Sequence, residues 1–193
     1  LFRESISSGT GASFNSDGVS SVLPLSGTGR ISIEITENRY PLQIIREELR
    51  VDSGGHGKFR GGLGITKEYL LKEDSLMSLA RNNDQTSTSG KLGGYNGSLS
   101  EQSITKKGRG KNSLPSLISS KKINKGEHLI IQASGGGGYG NPVRRSIELV
   151  KKDVLRGYIS RSTAFKNYGV VFKNTKNLEI DEESTKKERN RLS

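Results

Sequence analysis

The sequence contains no cysteine, no tryptophan and a single methionine in 193 residues. Without cysteine there is no disulfide framework and no thiolate metal site, and a cytoplasmic protein is the simple expectation. Hydrophobic residues make up 30% of the chain and aromatics 6%, so any core must be lean. No apolar run approaches the roughly 18 residues that read as a membrane span. The opening LFRESISSGTGAS lacks the basic and apolar regions of a signal peptide, and the missing initiator methionine suggests a trimmed or partial chain.

Nucleotide signatures are missing as well. No G-x-x-x-x-G-K-[ST] occurs, and Gly55 to Gly61 reads G-x-G-x-x-x-G, one residue off the dinucleotide spacing. Gly135, Gly137 and Gly140 do fit G-x-G-x-x-G, but Asn141–Pro142 follow where a helix should open toward a phosphate. ATP or a dinucleotide is therefore not expected on this chain. The two histidines, His56 and His128, stand too far apart for a short ligand pair, and no metal ligand is assigned. Sequence leaves a carboxylate-only Mg²⁺ or Ca²⁺ site open. There is no G-x-S-x-G elbow. The residues alone define no reaction.

What is abundant is positive charge and glycine. Lys and Arg number 31 against 20 Asp and Glu, a net charge of +11. That excess fits a polyanion, an acidic partner subunit, or merely a lysine-rich surface. The basic clusters at Lys106–Lys111, Lys121–Lys125, Arg144–Arg145, Lys151–Lys152 and Lys186–Arg191 read as loops and helix surfaces, and nucleic-acid binding is not the expected main role.

The periodicity predicts an α+β fold, mainly β: an antiparallel sheet or sandwich with glycine-rich loops and a C-terminal two-helix segment. Residues 1–30 read as an irregular Ser/Gly-rich lead-in, 31–142 as the β-rich core, 143–172 as the helical pair, and 173–193 as a charged, disordered or loosely helical tail. Ile31, Ile33 and Ile35 alternate with polar residues as in a half-buried strand, with Glu37 at its end. A carboxylate there is either a structural ion-pair member, with Arg39 or Arg50 available as its partner, or a site residue. Strands are also expected over Leu42–Asp52, Ile65–Leu71, Leu76–Arg81, Leu99–Thr105 and His128–Ala133. Lys106–Lys122 reads as exposed. Helices are predicted from Ser146 to Arg156, with Gly157 as stop, and from a Ser160 cap through Tyr168. That pair fits packing on a sheet better than a DNA-binding helix-turn-helix.

The stretch Glu48–Gly64, ELRVDSGGHGKFRGGLG, carries six glycines in its last eleven residues. Ordering them costs roughly 3–6 kcal/mol relative to alanine, a large share of the ~5–15 kcal/mol that holds a domain together. Such a cost implies positive φ or a backbone approached closely by another chain or ligand; a long tight connection between strands is the plainer alternative.

Several of these segments also resemble a known family. Glu34-x-x-Glu37, Tyr40–Pro41 and the D-S-G-G-x-G-x-x-R-G-G-x-G of Asp52–Gly64 come in the order seen in the C-terminal part of the hydantoinase B/oxoprolinase family. Asn15–Gly18, Arg81 with Gly93–Gly94 and Gly97, Leu114–Pro115–Ser116, Lys125–Gly126–Glu127, and GGGGYGNP with Val150, Asp153–Val154, Gly157, Ser160, Ala164 and Tyr168–Val171 extend the resemblance over most of 10–172. Departures are Gly27 and Arg30 where asparagines are usual, Leu117 for a lysine, and His56 for a small residue or proline.

The resemblance implies part of an ATP-dependent hydrolase opening a cyclic amide of the hydantoin or 5-oxoproline class. A relative among acetone and acetophenone carboxylases, or a non-catalytic remnant or assembly module, is the alternative. An A-type partner subunit would bind ATP and Mg²⁺ and phosphorylate the substrate carbonyl oxygen, and an N-terminal B-type portion would hold any divalent metal. Candidate contacts to substrate or subunit are Glu37, Asp52, Ser53, Gly54, Gly55, His56, Arg60, Gly61 and Gly62.

Overall fold

A computed structural model describes residues 1–22, 31–106, 110–174 and 177–193. Gly27, Arg30 and the middle of the Lys106–Lys111 cluster lie outside the described residues. Seven strands are described: β1 Leu42–Leu49, β2 Ile65–Leu71, β3 Ser75–Ala80, β4 Glu101–Lys106, β5 Asn112–Ser113, β6 Leu117–Ile123 and β7 Glu127–Gln132. Four helices accompany them: α1 Ile33–Arg39, α2 Ile147–Leu155, α3 Arg161–Tyr168 and α4 Glu182–Leu192. The fold is α+β, mainly β, as the periodicity implies.

Five strands form an antiparallel sheet in the order β1-β2-β7-β4-β5, and β3 pairs with β6 in a second, two-stranded sheet. β2 reads ITKEYLL and is buried along most of its length because it lies inside the larger sheet. Its Tyr69 and Leu71 meet Leu42, Ile104, Ile123 and Ile131 in the main core. Burial of each such side chain contributes about 1.5–3 kcal/mol, so this small set is the chief hydrophobic term.

That core face also carries charge. Lys67 is buried, with its ammonium 2.5 Å from Glu4 and 2.8 Å from Glu47. The Tyr69 hydroxyl donates to the other oxygen of Glu4 at 2.6 Å. The first residues of the chain are thereby tied to β2. Burial first, and then Glu4, push the Tyr69 hydroxyl pKa well up.

Four expectations need correction. The isoleucine alternation at Ile31–Thr36 is not a strand but enters α1. Ser32 caps it by accepting from the Ile35 amide, and Ile31, Ile33 and Ile35 stay exposed. With no sheet face to fill, the alternation carried no strand information. β1 stops at Leu49, and a bulge between Ile44 and Arg46 swings Ile45 outward. The Lys106–Lys122 region is mostly exposed over its described residues, as expected, but its Lys121–Lys122 end is not loop or helix surface: it lies in β6, a polar strand whose backbone pairs with β3. Finally, the charged tail forms α4: Asp181 caps it, Lys187–Glu183 and Arg191–Glu188 pair along it, and buried Thr185 accepts from the Val171 amide at 3.0 Å.

α2 and α3 pack through Val150, Ile159, Ala164, Tyr168 and Val170. Ser160 accepts from the Thr163 amide as the cap of α3, and Gly169 ends it at φ 63°. Between these helices and the larger sheet lies a third kind of structure. Segments 8–12, 16–22, 53–64, 88–97 and 133–140 hydrogen-bond one another outside the regular strands. Gly55 donates to Gly136, Gly136 to Gly62, and Gly62 to Thr10, at 2.8–2.9 Å. A Cβ on Gly136 would overlap the Thr10 carbonyl, and one on Gly61 would overlap the Gly136 carbonyl. The glycine cost is offset by this backbone-to-backbone approach, which no larger residue permits.

Candidate functional site

The glycine loop leaves β1 through a tight turn. Asp52 sits at φ 60°, a left-handed conformation that aspartate tolerates better than most residues. Its amide donates to Tyr158 at 3.1 Å and its carboxylate accepts from the Ser160 amide at 2.8 Å, so the loop is fastened to the α2–α3 connection. Ser53 is buried; its hydroxyl donates to Arg50 at 2.6 Å and accepts from Gly64 at 3.1 Å, closing both ends of the loop on each other. Gly54, Gly55, Gly61 and Gly62 are buried within the packed backbone segments.

Beneath the loop lies an ionic cluster. Arg145 is 1% exposed and holds Asp17 through two contacts of 2.7 Å and Asp153 at 2.8 Å. Its placement corrects the reading of Arg144–Arg145 as a surface pair. Arg60 is also buried: its Nε faces Asp153 at 3.3 Å, Nη1 donates to Gly61 at 2.7 Å, and the guanidinium lies 5.1 Å from the Tyr158 ring centre. The Arg60 amide donates to Asp17 at 2.7 Å. Two buried cations therefore share two carboxylates, the balance that buried charge requires. Burial works against the charge on Arg145, but the hydrogen bond and charges of Asp17 and Asp153 outweigh it and raise its pKa. Burial would raise the Asp17 pKa; Arg145 and then Arg60 pull it below the ordinary carboxylate value.

His56 stands at the edge of this cluster. Its Nδ1 is 3.5 Å from the Tyr168 hydroxyl, and its ring meets Tyr168 and Tyr95 edge-on at 5.5 and 6.0 Å. Burial, and secondarily the Arg60 charge, lower the His56 pKa, while Asp52 opposes them. With its pKa held below 6.5, the imidazole is uncharged at neutral pH. Burial raises the Tyr168 pKa, so its hydroxyl keeps its proton. Among the described residues, no group of three or more His, Asp or Glu side chains is placed to hold a metal ion, and no helix is long and apolar enough to cross a membrane.

The structure thus brings Asp52, Ser53, His56, Arg60 and the four loop glycines together. Glu37 stands apart: it lies on α1 and accepts from the Ile44 amide at 2.7 Å, near the start of β1 rather than its end. Neither expected arginine serves it in that contact, and Arg50 pairs instead with Glu101 at 2.7 Å. Sequence reasoning did not assign Asp17, Arg145, Asp153 and Arg189 to the site. Arg189 of α4 donates to the carbonyls of Tyr168 and Arg145 at 3.1 and 2.8 Å. The available signal was that Asp17 and Asp153 lie within the resemblance motifs and Arg145 just after one; Arg189 had no such signal, and only the folded chain joins residues so far apart.

Against known proteins, the profile of the family described as Hydantoinase B/oxoprolinase matches residues 1–142. The chain is 33% identical over 177 residues to the B-type subunit of a putative D-/L-hydantoinase from Pseudomonas sp. (strain NS671), covering 91% of this chain and 30% of that protein. It is 34% identical over 192 residues to the β-subunit of the caprolactamase of Pseudomonas jessenii, covering 94% and 32%. A crystal structure of ATP-dependent caprolactamase from Pseudomonas jessenii matches with a TM-score of 0.83 at 29% identity, over 96% of this chain and 33% of that one. The chain spans about a third of the length of these relatives.

Proposed function

The chain belongs to the hydantoinase B/oxoprolinase family, and from that premise we propose that it is the C-terminal portion of a hydantoinase B-type subunit. The enzyme in this reading is an ATP-dependent hydrolase that opens a cyclic amide of the hydantoin or 5-oxoproline class. What supports the reading is the likeness, over 96% of the chain, to an ATP-dependent caprolactamase. The complementary N-terminal portion and an A-type subunit are the partners, with ATP and Mg²⁺ held by the latter and any divalent metal by the former.

The contribution of this chain is a preorganised platform. Ser53, Arg60, Gly54, Gly55, Gly61 and Gly62 are engaged inside the fold and hold the loop in one shape. His56 is the half-buried imidazole of the loop, neutral at working pH, against a Tyr168 hydroxyl that stays protonated. In this reading His56 takes a proton from the attacking water, and Asp52 favours the resulting imidazolium through its charge.

Co-purification with the N-terminal portion and the A-type subunit tests the proposal. The complex is assayed for ATP turnover with hydantoins, 5-oxoproline, lactams, and small ketones with bicarbonate. A stable complex whose ATP hydrolysis rises with a cyclic amide is the expected result. Stimulation by a ketone and bicarbonate alone would make it a carboxylase, and no complex would remove the enzyme reading.

A further inference from the structure

The glycine segments end in an open groove of about 420 Å³ lined by Phe14, Lys58, Phe59, Leu92, Tyr139 and Arg144 among others. Three observations make it unlike ordinary surface. Leu92 is 76% exposed and Phe14 72%, so two large apolar side chains project at its edge with little of their area covered. Leu92 also sits at φ 49°, next to Gly93 at φ 86°, in a turn closed by Gly94 donating to Lys91 at 3.0 Å. A left-handed leucine is a backbone cost that Asn, Asp or Gly would avoid at this position. No burial of its own side chain offsets that cost within the described residues.

The third observation is charge. Lys58 and Arg144 line the groove, no carboxylate does, and among the described residues neither cation pairs with an acidic side chain. Lys91 adjoins it, its backbone bridged to Tyr139. Lys58 lies 5.3 Å from the Phe59 ring centre, so one cation already rests on the aromatic floor. An apolar floor with an unpaired cationic rim selects an occupant that is apolar at its centre and acidic around it.

We propose that this groove docks an acidic protein segment that inserts one large apolar side chain between Leu92, Phe59 and Tyr139, flanked by carboxylates that meet Lys58 and Arg144. The proposal rests on the reading of the chain as one part of a larger assembly, but not on what that assembly catalyses. A nucleic acid fits less well, because only two cations line the groove, too few to follow a phosphate backbone.

The chain contains no tryptophan, so a peptide carrying one gives a clean fluorescence signal. The probe is an acetylated hexapeptide, EDWLED, titrated against the intact chain, with KKWLKK and oligo-dT of eight nucleotides as comparisons. Saturable binding of EDWLED that weakens between 0.05 and 0.5 M salt and is absent for KKWLKK is expected on screening grounds. The double variant Lys58→Glu/Arg144→Glu, both sites being exposed, is expected to bind about tenfold more weakly. Leu92→Gly, which relieves the backbone, is expected to stabilise the chain while weakening the peptide. Absence of EDWLED binding, equal binding of KKWLKK, indifference to both variants, or tighter binding of oligo-dT would each overturn the proposal. Because the assay needs neither partner subunits nor ATP, its failure is separable from failure of the enzyme reading.

Discussion

Asp17 and Arg145 stand 128 residues apart in sequence and meet through two contacts of 2.7 Å each. The pair joins the Ser/Gly-rich beginning of the chain to the helices at its end, with the glycine loop between them. Arg145 is also bound to Asp153, and its carbonyl accepts from Arg189. The cluster therefore fastens the glycine segments to α2 and α4 at once.

Replacing Arg145 by methionine leaves two carboxylates without their buried cation and is expected to cost about 3–5 kcal/mol. Arg145→Lys is expected to recover little of this, since an ammonium cannot span both oxygens of Asp17 and still reach Asp153. Urea midpoints of the intact chain measure both losses. A lysine variant as stable as the parent would show that the forked geometry contributes nothing.

The same pair sets an acid limit. The folded pKa of Asp17 lies below its unfolded value, so the unfolded chain binds more protons between the two. Its stabilisation is fully present above the unfolded pKa near 3.8 and is lost as pH falls through the folded value. Asp17→Asn is expected to flatten the stability profile below about pH 4. An unchanged slope in denaturant titrations at pH 2–5 would exclude Asp17 from the acid transition.

Glycine 136 gives a sharper test of the backbone packing. Its Cβ position falls on the Thr10 carbonyl, which is itself hydrogen-bonded to Gly62 and has no room to retreat. Gly136→Ala is expected to cost more than about 3 kcal/mol, above the usual range for overpacking, because backbone rather than a side chain must move. Gly110, with nothing within 4 Å of its Cβ position, is the control, and Gly110→Ala is expected to be neutral. Thermal melts of the two variants decide it.

How much of this was legible in the sequence depends on distance along the chain. β2 and α3, with its Ser160 cap, were readable because their signals are local: apolar clustering and a capping serine. The glycine density correctly announced close backbone approach, although the partner proved to be the chain's own backbone. The alternation before α1 misleads because isoleucines at every second position signal burial only where a sheet face exists. α4 escapes a local reading because its support comes from ion pairs and from Thr185 and Arg189 reaching other segments. The cluster of Asp17, Arg60, Arg145 and Asp153 was invisible as a unit, since nothing local in the chain links residues so far apart.

His56 is expected to titrate below the ordinary histidine value of 6.5, its charged form disfavoured first by burial and then by Arg60. The unfolded chain then binds the extra proton, so stability is lost as pH falls through about 6.5 toward the folded pKa. Proton NMR of the imidazole C2–H reads the midpoint directly, with His56→Gln assigning the resonance. A midpoint at or above 6.5 would contradict both the burial argument and the neutral base proposed for catalysis.

Arg189 carries the last test, because it is where the tail acts on the site. Its guanidinium donates to the Tyr168 and Arg145 carbonyls, one at the end of α3 and one beside the ionic cluster. Arg189→Ala removes both donors, and each carbonyl left without a partner is expected to cost about 1–3 kcal/mol. The effect should be local before it is global. Amide exchange at Gly169, Val170 and Val171 is expected to accelerate while β2 amides keep their protection. Val171 is the most telling of these, because its amide donates to Thr185 of the same α4 helix. Faster exchange there, with β2 unchanged, means that α4 holds α3 against the cluster; unchanged exchange at all three amides means that the helix is a passenger.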